Sequence, residues 1–173
     1  MKKFLLSIVA LGALTLSSCS SDPCEGKSAT TLCTGNGTLS SDGTNCNCTC
    51  NTGYAGTACN LTLAGIYTAN SDILGTSTSV TPYTSSISIS GNTVSITKFK
   101  NGFFVNSAIG TLSGKTITLN TDQQPDNDGY KLNGTGTITS TATQISIKWT
   151  YSITGPNASG TIVTDNLTGT WTK

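Results

Sequence analysis

The residues with the most chemistry to offer in this chain are its seven cysteines, Cys19, Cys24, Cys33, Cys46, Cys48, Cys50 and Cys59. In the tightest run, Cys46-Asn47-Cys48-Thr49-Cys50, three thiols alternate at i, i+2. Zinc sites use a looser C-x2–4-C spacing, often with histidine, and this chain has no histidine. Disulfides are the expected chemistry, as in exported domains. An odd cysteine count leaves one thiol over, and Cys19, set apart just after an apolar run, is that one. Alternating residues of an extended chain share a face, and disulfide geometry disfavours a bridge between such neighbours. Cys46, Cys48 and Cys50 should therefore take partners from Cys24, Cys33 and Cys59. Cys50 with Cys59 is the nearest closure, across a turn containing Gly53 and Gly56. Cys24 and Cys33 then share Cys46 and Cys48, in either order.

What the chain lacks narrows the chemistry further. It has no histidine, no arginine and a single glutamate, Glu25. Ser-His-Asp and Cys-His nucleophile systems are excluded, and no guanidinium is present to clamp phosphate. Asp126-Asn127-Asp128-Gly129 has the look of a calcium loop, but an EF-hand in that register would begin at Gln124 and place Thr135 where glutamate is needed. It reads as a turn. No catalytic residue, metal site or cofactor is expected, and a net charge of +1 points away from a nucleic-acid partner. Gly134 and Gly136 share parity with Tyr130, Leu132 and Ile138. They either open space inside a β-structure or relieve a bend.

Cys48-Thr49-Cys50-Asn51-Thr52-Gly53-Tyr54-Ala55-Gly56-Thr57-Ala58-Cys59 resembles the C-terminal half of an EGF-like module, C-x-C-x2-G-Y-A-G-x2-C. The resemblance implies a first–third, second–fourth, fifth–sixth pairing, hence Cys24–Cys46, Cys33–Cys48 and Cys50–Cys59. The N-terminal half departs from the family, because no cysteine follows Thr34-Gly35-Asn36-Gly37-Thr38 directly and the third cysteine is displaced to Cys46. With Asp22 and Glu25 alone near the first cysteine, no calcium site is expected in the module.

Ahead of the module, Lys2 and Lys3 precede a short apolar run from Phe4 to Leu16, the pattern of an export signal. Leu16-Ser17-Ser18-Cys19 resembles the bacterial lipobox. That resemblance implies cleavage before Cys19 and acylation of it. Several acyl chains, at about 0.8 kcal/mol per buried methylene, anchor durably where one does not. The expected organisation is a signal over 1–18, a lipidated tether over 19–23, the disulfide module over 24–60 and a second domain over 61–173.

That second domain has no cysteine and is rich in threonine, serine and β-branched residues. Period-2 alternation recurs in it, most clearly where Ile145, Ile147, Trp149, Tyr151 and Ile153 point one way and Ser146, Lys148, Thr150 and Ser152 the other. Gly91-Asn92 and Ser113-Gly114 are hairpin signals. Strands are expected near 65–69, 84–90, 93–98, 103–112, 115–120, 130–139, 143–153 and 160–172, with Gly155-Pro156-Asn157 between the last two. A parity switch between Ile162 and Leu167 predicts a bulge near Asp165 or Asn166. About eight consecutive antiparallel strands make an up-and-down barrel or a two-sheet meander. Leu63-Ala64-Gly65-Ile66-Tyr67 faintly resembles the opening of lipocalin-like barrels, with tyrosine in place of tryptophan. The functional expectation is a membrane-anchored bacterial envelope lipoprotein, outer-membrane, periplasmic or surface-exposed, with a non-catalytic interaction or adhesion role and the membrane as its partner through Cys19. The alternative is a lipocalin-like carrier of a small apolar ligand.

Overall fold

A computed structural model describes residues 21–74 and 81–173. These described residues are all-β apart from one helical turn, Ala29–Leu32, capped by the Ser28 hydroxyl accepting from the Thr30 N–H, and a tight turn at Phe99–Gly102. The expected signal, and the lipidation of Cys19, lie outside the described residues.

Three disulfides, Cys24–Cys46, Cys33–Cys48 and Cys50–Cys59, hold the N-terminal part. It has little apolar interior, and only Cys33, Ala55 and Cys59 of it are buried apolar residues. A segment of that size depends on such cross-links. Strands β1 (Gly37–Ser41) and β2 (Cys46–Cys50) pair antiparallel. At their turn the Asp42 carboxylate accepts from the N–H groups of Asn45 and Thr44 and from the Asn47 amide, at 2.6, 2.9 and 3.0 Å. These bonds, that of Asn45 first, hold the Asp42 carboxyl down at about 2 from its ordinary 3.8. A lowered folded-state value means that the carboxylate's contribution is complete above pH 4 and is lost as the pH falls toward 2. The Thr44 and Asn45 amide resonances should therefore titrate together with a midpoint near pH 2 in an NMR titration, and Asp42→Asn should abolish that titration. A midpoint near 4 would show that the turn is not formed this way.

Two short strands, β3 (Tyr54–Ala55) and β4 (Leu61–Thr62), pair across position 60, and Leu63 N–H donates to the Gly53 carbonyl at 2.8 Å. The minor sheet thus joins the disulfide-linked segment directly to the C-terminal half of the chain. Ala55 and Leu63 pack into the same apolar cluster as that half's core. Lys173 Nζ donates to the carbonyls of Thr62 and Ala64, which fastens the C-terminus to the same junction.

The remaining eight strands form a closed antiparallel barrel: β5 (Gly65–Leu74), β6 (Tyr83–Ser90), β7 (Thr93–Thr97), β8 (Ala108–Ser113), β9 (Thr116–Leu119), β10 (Lys131–Ser140), β11 (Ile145–Pro156) and β12 (Ile162–Thr172). Each strand pairs with the next, and β12 pairs back onto β5. Of the two expected topologies the up-and-down barrel is the one formed. Short Gly-led turns at Gly91-Asn92 and Gly114-Lys115 join β6 to β7 and β8 to β9, with both glycines left-handed (φ 57° and 55°). At eight strands the interior is just wide enough for side chains to fill it. Ile145, Ile147, Trp149, Tyr151 and Ile153 of β11 all point in and are buried.

Three details differ from the sequence expectation. The strand expected over 103–112 begins only at Ala108, because 98–107 leaves the wall and sends Phe99 and Phe104 into the barrel, both fully buried. Gly155 and Pro156 belong to β11, and the chain turns after them, where the Asn157 carboxamide accepts from the N–H groups of Ser159 and Thr161. No bulge occurs at Asp165 or Asn166: the β11–β12 ladder runs unbroken from Ile162 to Thr172. Ile162 and Val163 break the alternation because both are exposed at the projecting end of that hairpin. The register shift lies instead on the other side of β12, where Thr170 faces Ser71 but Trp171 faces Ala69, leaving one extra residue on β5.

Candidate functional site

That bulge builds the most distinctive site in the molecule. On β5, Tyr67 and Ala69 point inward and are buried. Without an extra residue the inward row would continue 67, 69, 71, 73, and Asp72 would face solvent. With it, Asp72 stands opposite Gly169, within the inward row Leu167, Gly169 and Trp171 of β12. A bulge re-aims a side chain in just this manner. The outcome is a carboxylate turned toward the interior, its Oδ1 buried.

Four aromatic residues with polar tips share that interior. Tyr83 opens β6, opposite Ala69; Trp149 and Tyr151 lie on β11; Trp171 lies on β12. Trp149 and Trp171 are fully buried, Tyr151 is 3% exposed and Tyr83 9%. Burial foremost, and then the nearby Asp72 carboxylate, push the ionisation of both tyrosine hydroxyls well above the ordinary range. Asp72 Oδ1, Tyr83 Oη, Tyr151 Oη, Trp149 Nε1 and Trp171 Nε1 all lack a partner at hydrogen-bond distance and angle. A buried polar group left so costs about 1–3 kcal/mol. By contrast Tyr67, equally buried, donates its hydroxyl to the Leu63 carbonyl at 2.7 Å.

Glycines make room for these rings. Trp149 lies opposite Gly136 on β10 and Gly169 on β12, and Tyr151 lies opposite Gly134. A Cβ on Gly136 would come within 2.9 Å of the Trp149 ring, and one on Gly134 within 2.4 Å of Tyr151 Cβ. The two glycines thus open space, and that space holds indole and phenol.

Phe99 closes the group. Its ring centroid lies 5.3 Å from Trp149, 4.9 Å from Tyr151 and 5.3 Å from Trp171, the first two edge-on. It is delivered by a turn in which Lys98, Lys100 and Asn101 adopt left-handed φ of 55°, 50° and 53°. Such conformations cost non-glycine residues about 1 kcal/mol or more each and persist only where surroundings enforce them. Two contacts do so here: the burial of Phe99, and the Asp126 carboxylate, which accepts from the N–H groups of Val105 and Asn106 at 2.7 Å each. Asp126 is thus a loop clamp. No group of three or more potential metal-ligating side chains occurs among the described residues.

Asp72, Tyr83 and the loop that carries Phe99 lie toward the barrel end away from the disulfide-linked segment. The turns at 91–92, 114–115 and 141–144 share the near end with the start of β5 and the end of β12. A recess of about 390 Å³ lies at that near end, lined in part by Asn51, Tyr54, Ala55, Leu63, Lys115 and Ser140, and none of the unpartnered polar atoms belongs to its lining. At the far end the 98–107 loop and the β11–β12 hairpin present Phe103, Val105, Ile162 and Val163 to solvent, Val105 at 87% and Ile162 at 65% exposure. Phe103 packs edge-on against Tyr130, whose hydroxyl donates to the Pro156 carbonyl at 2.7 Å and so ties loop and hairpin into one rim.

The chain matches no family model, no curated protein and no solved structure. The six cysteines singled out by spacing are structural cross-links in this fold. The group around Asp72 escaped sequence reasoning. Its one visible signal was Asn101-Gly102, a turn dipeptide in the gap between the strands expected over 93–98 and 103–112.

Proposed function

We propose that this protein is a lipid-anchored bacterial envelope protein, in the outer membrane, whose barrel serves as a non-catalytic interaction module. An EGF-like module stands next to the membrane, and the barrel's far rim is turned to the partner. The observation that carries this reading is the exposed apolar rim of Phe103, Val105, Ile162 and Val163 at the end remote from the N-terminal segment. With Cys19 acylated, only the residues up to Pro23 separate the lipid from the first bridge at Cys24, so the rim projects outward. Scattered apolar residues need no explanation, but these sit on adjoining elements tied together through Tyr130. A carrier of apolar ligands fits less well, because Trp149, Trp171, Phe99 and the inward isoleucines fill the barrel.

The test combines anchoring with the rim. Cys19→Ser should leave the membrane fraction and lose palmitate labelling. Val105→Asp combined with Ile162→Asp should keep both, yet reduce attachment of cells displaying the protein to host or abiotic surfaces. Membrane retention with label in the Cys19 variant would overturn the anchoring. Unchanged attachment in the rim variant would overturn the interaction role.

A further inference from the structure

We infer that the space now filled by the Phe99 ring is a binding site for a small organic ammonium ion, exposed when the 98–107 loop lifts. This inference is independent of the rim. It rests on polar groups that the closed form leaves unused: a carboxylate oxygen of Asp72, the hydroxyls of Tyr83 and Tyr151, and the indole N–H groups of Trp149 and Trp171.

The composition of the site selects the ligand. Asp72 turns a carboxyl oxygen into the site, and no lysine is paired with it among the described residues. A cation supplies the missing partner, whereas an anion meets the carboxylate and an uncharged apolar ligand leaves all five atoms unsatisfied. The walls suit the same choice. Trp149 and Trp171 lie 5.2 Å apart, and Tyr83 stands edge-on to Trp171 at 6.3 Å. Aromatic faces around a vacated centre attract ammonium groups, quaternary ones included. The unused N–H and O–H donors call for an acceptor on the same ligand, so the class is a hydroxyalkyl ammonium.

Phe99 is the occupant to be displaced. Its ring touches Trp149, Tyr151 and Trp171, so its withdrawal empties the centre of the cage. The turn that carries it is held left-handed at three non-glycine residues and can relax when the ring leaves. Ligand and Phe99 therefore compete for one place.

The experiment uses the purified full chain in an uncharged maltoside detergent. Choline is the probe, and 3,3-dimethylbutan-1-ol is its uncharged isostere. Both tryptophans of the chain belong to the cage, so intrinsic fluorescence reports on it directly. Choline should change the emission saturably and the isostere should not. Asp72→Asn should weaken choline about tenfold or more, as expected for loss of a charge-assisted partner, with near-ultraviolet circular dichroism confirming a native barrel. Phe99→Ala, which keeps Asp72, should bind several-fold more tightly because the competitor is gone. No saturable response, equal response to the isostere, or unchanged affinity in both variants would overturn the inference and leave buried water as the partner of these groups.

Discussion

Replacing Trp149 by alanine should cost the barrel about 3–5 kcal/mol, the range for truncating a fully enclosed tryptophan. Its ring fills the gap between Gly136 and Gly169 and touches both Phe99 and Trp171. None of these neighbours can close over the hole. The flanking glycines have no side chain to offer, and the partner strands are fixed by ladders on both sides of β11. Urea denaturation followed by far-ultraviolet circular dichroism measures the loss, and a value under about 1 kcal/mol would mean that the interior is not packed as described. Gly134→Ala gives the complementary result. Alanine ordinarily improves on glycine within regular structure. Here its Cβ would meet Thr150 O at 2.8 Å as well as Tyr151 Cβ at 2.4 Å, and backbone cannot retreat without breaking the β10–β11 ladder. The variant should lose about 1–3 kcal/mol, the usual penalty of overpacking. A gain in stability would refute the close approach of β10 and β11.

Removing the Cys50–Cys59 bridge, with both residues changed to alanine, should cost about 2–5 kcal/mol in the stability of the N-terminal segment. That bridge spans a separation of nine residues and encloses β3, and Cys59 is fully buried. Without it the β3–β4 pair and the Leu63–Gly53 hydrogen bond lose the tether that holds them together. The barrel should survive, because its ladder closes on itself through β12 and β5 without help from the bridge. Ala55 and Leu63 do reach its core, so a modest loss of barrel stability should accompany the change. Limited proteolysis between residues 24 and 60 should accelerate sharply while tryptophan emission stays native. Emission at the fully unfolded value under the same conditions would show one cooperative unit, with no independent barrel.

The difference between these two results arises from how each part is stabilised. The N-terminal segment has few buried apolar side chains and three cross-links. The barrel has no cysteine, and Trp149, Trp171, Tyr67 and Phe99 fill it. The exchange of covalent for hydrophobic stabilisation along the chain was already legible in the cysteine distribution, which stops at Cys59. The strand-rich composition beyond it, the alternation of Ile145 to Ile153 and the two Gly-led hairpins were equally legible, because each depends only on local periodicity and turn chemistry.

What the sequence could not determine was anything that depends on a neighbouring strand. Meander and barrel share the same local pattern, and only the pairing of β12 with β5 separates them. Asp72 reads as an ordinary polar strand residue until the register shift against Thr170 and Trp171 turns it inward. Gly134 and Gly136 read as bend or space, and the rings across from them decide that the space is filled. Phe103 to Leu112 reads as one strand, yet the ladder begins only at Ala108 and the preceding loop folds over the mouth with Phe99 and Phe104 fully buried. Local preference sets which segments can be strands. Register, closure and burial, being properties of pairs of strands far apart in the chain, set which side chains meet, and the unpartnered group around Asp72 exists only at that level.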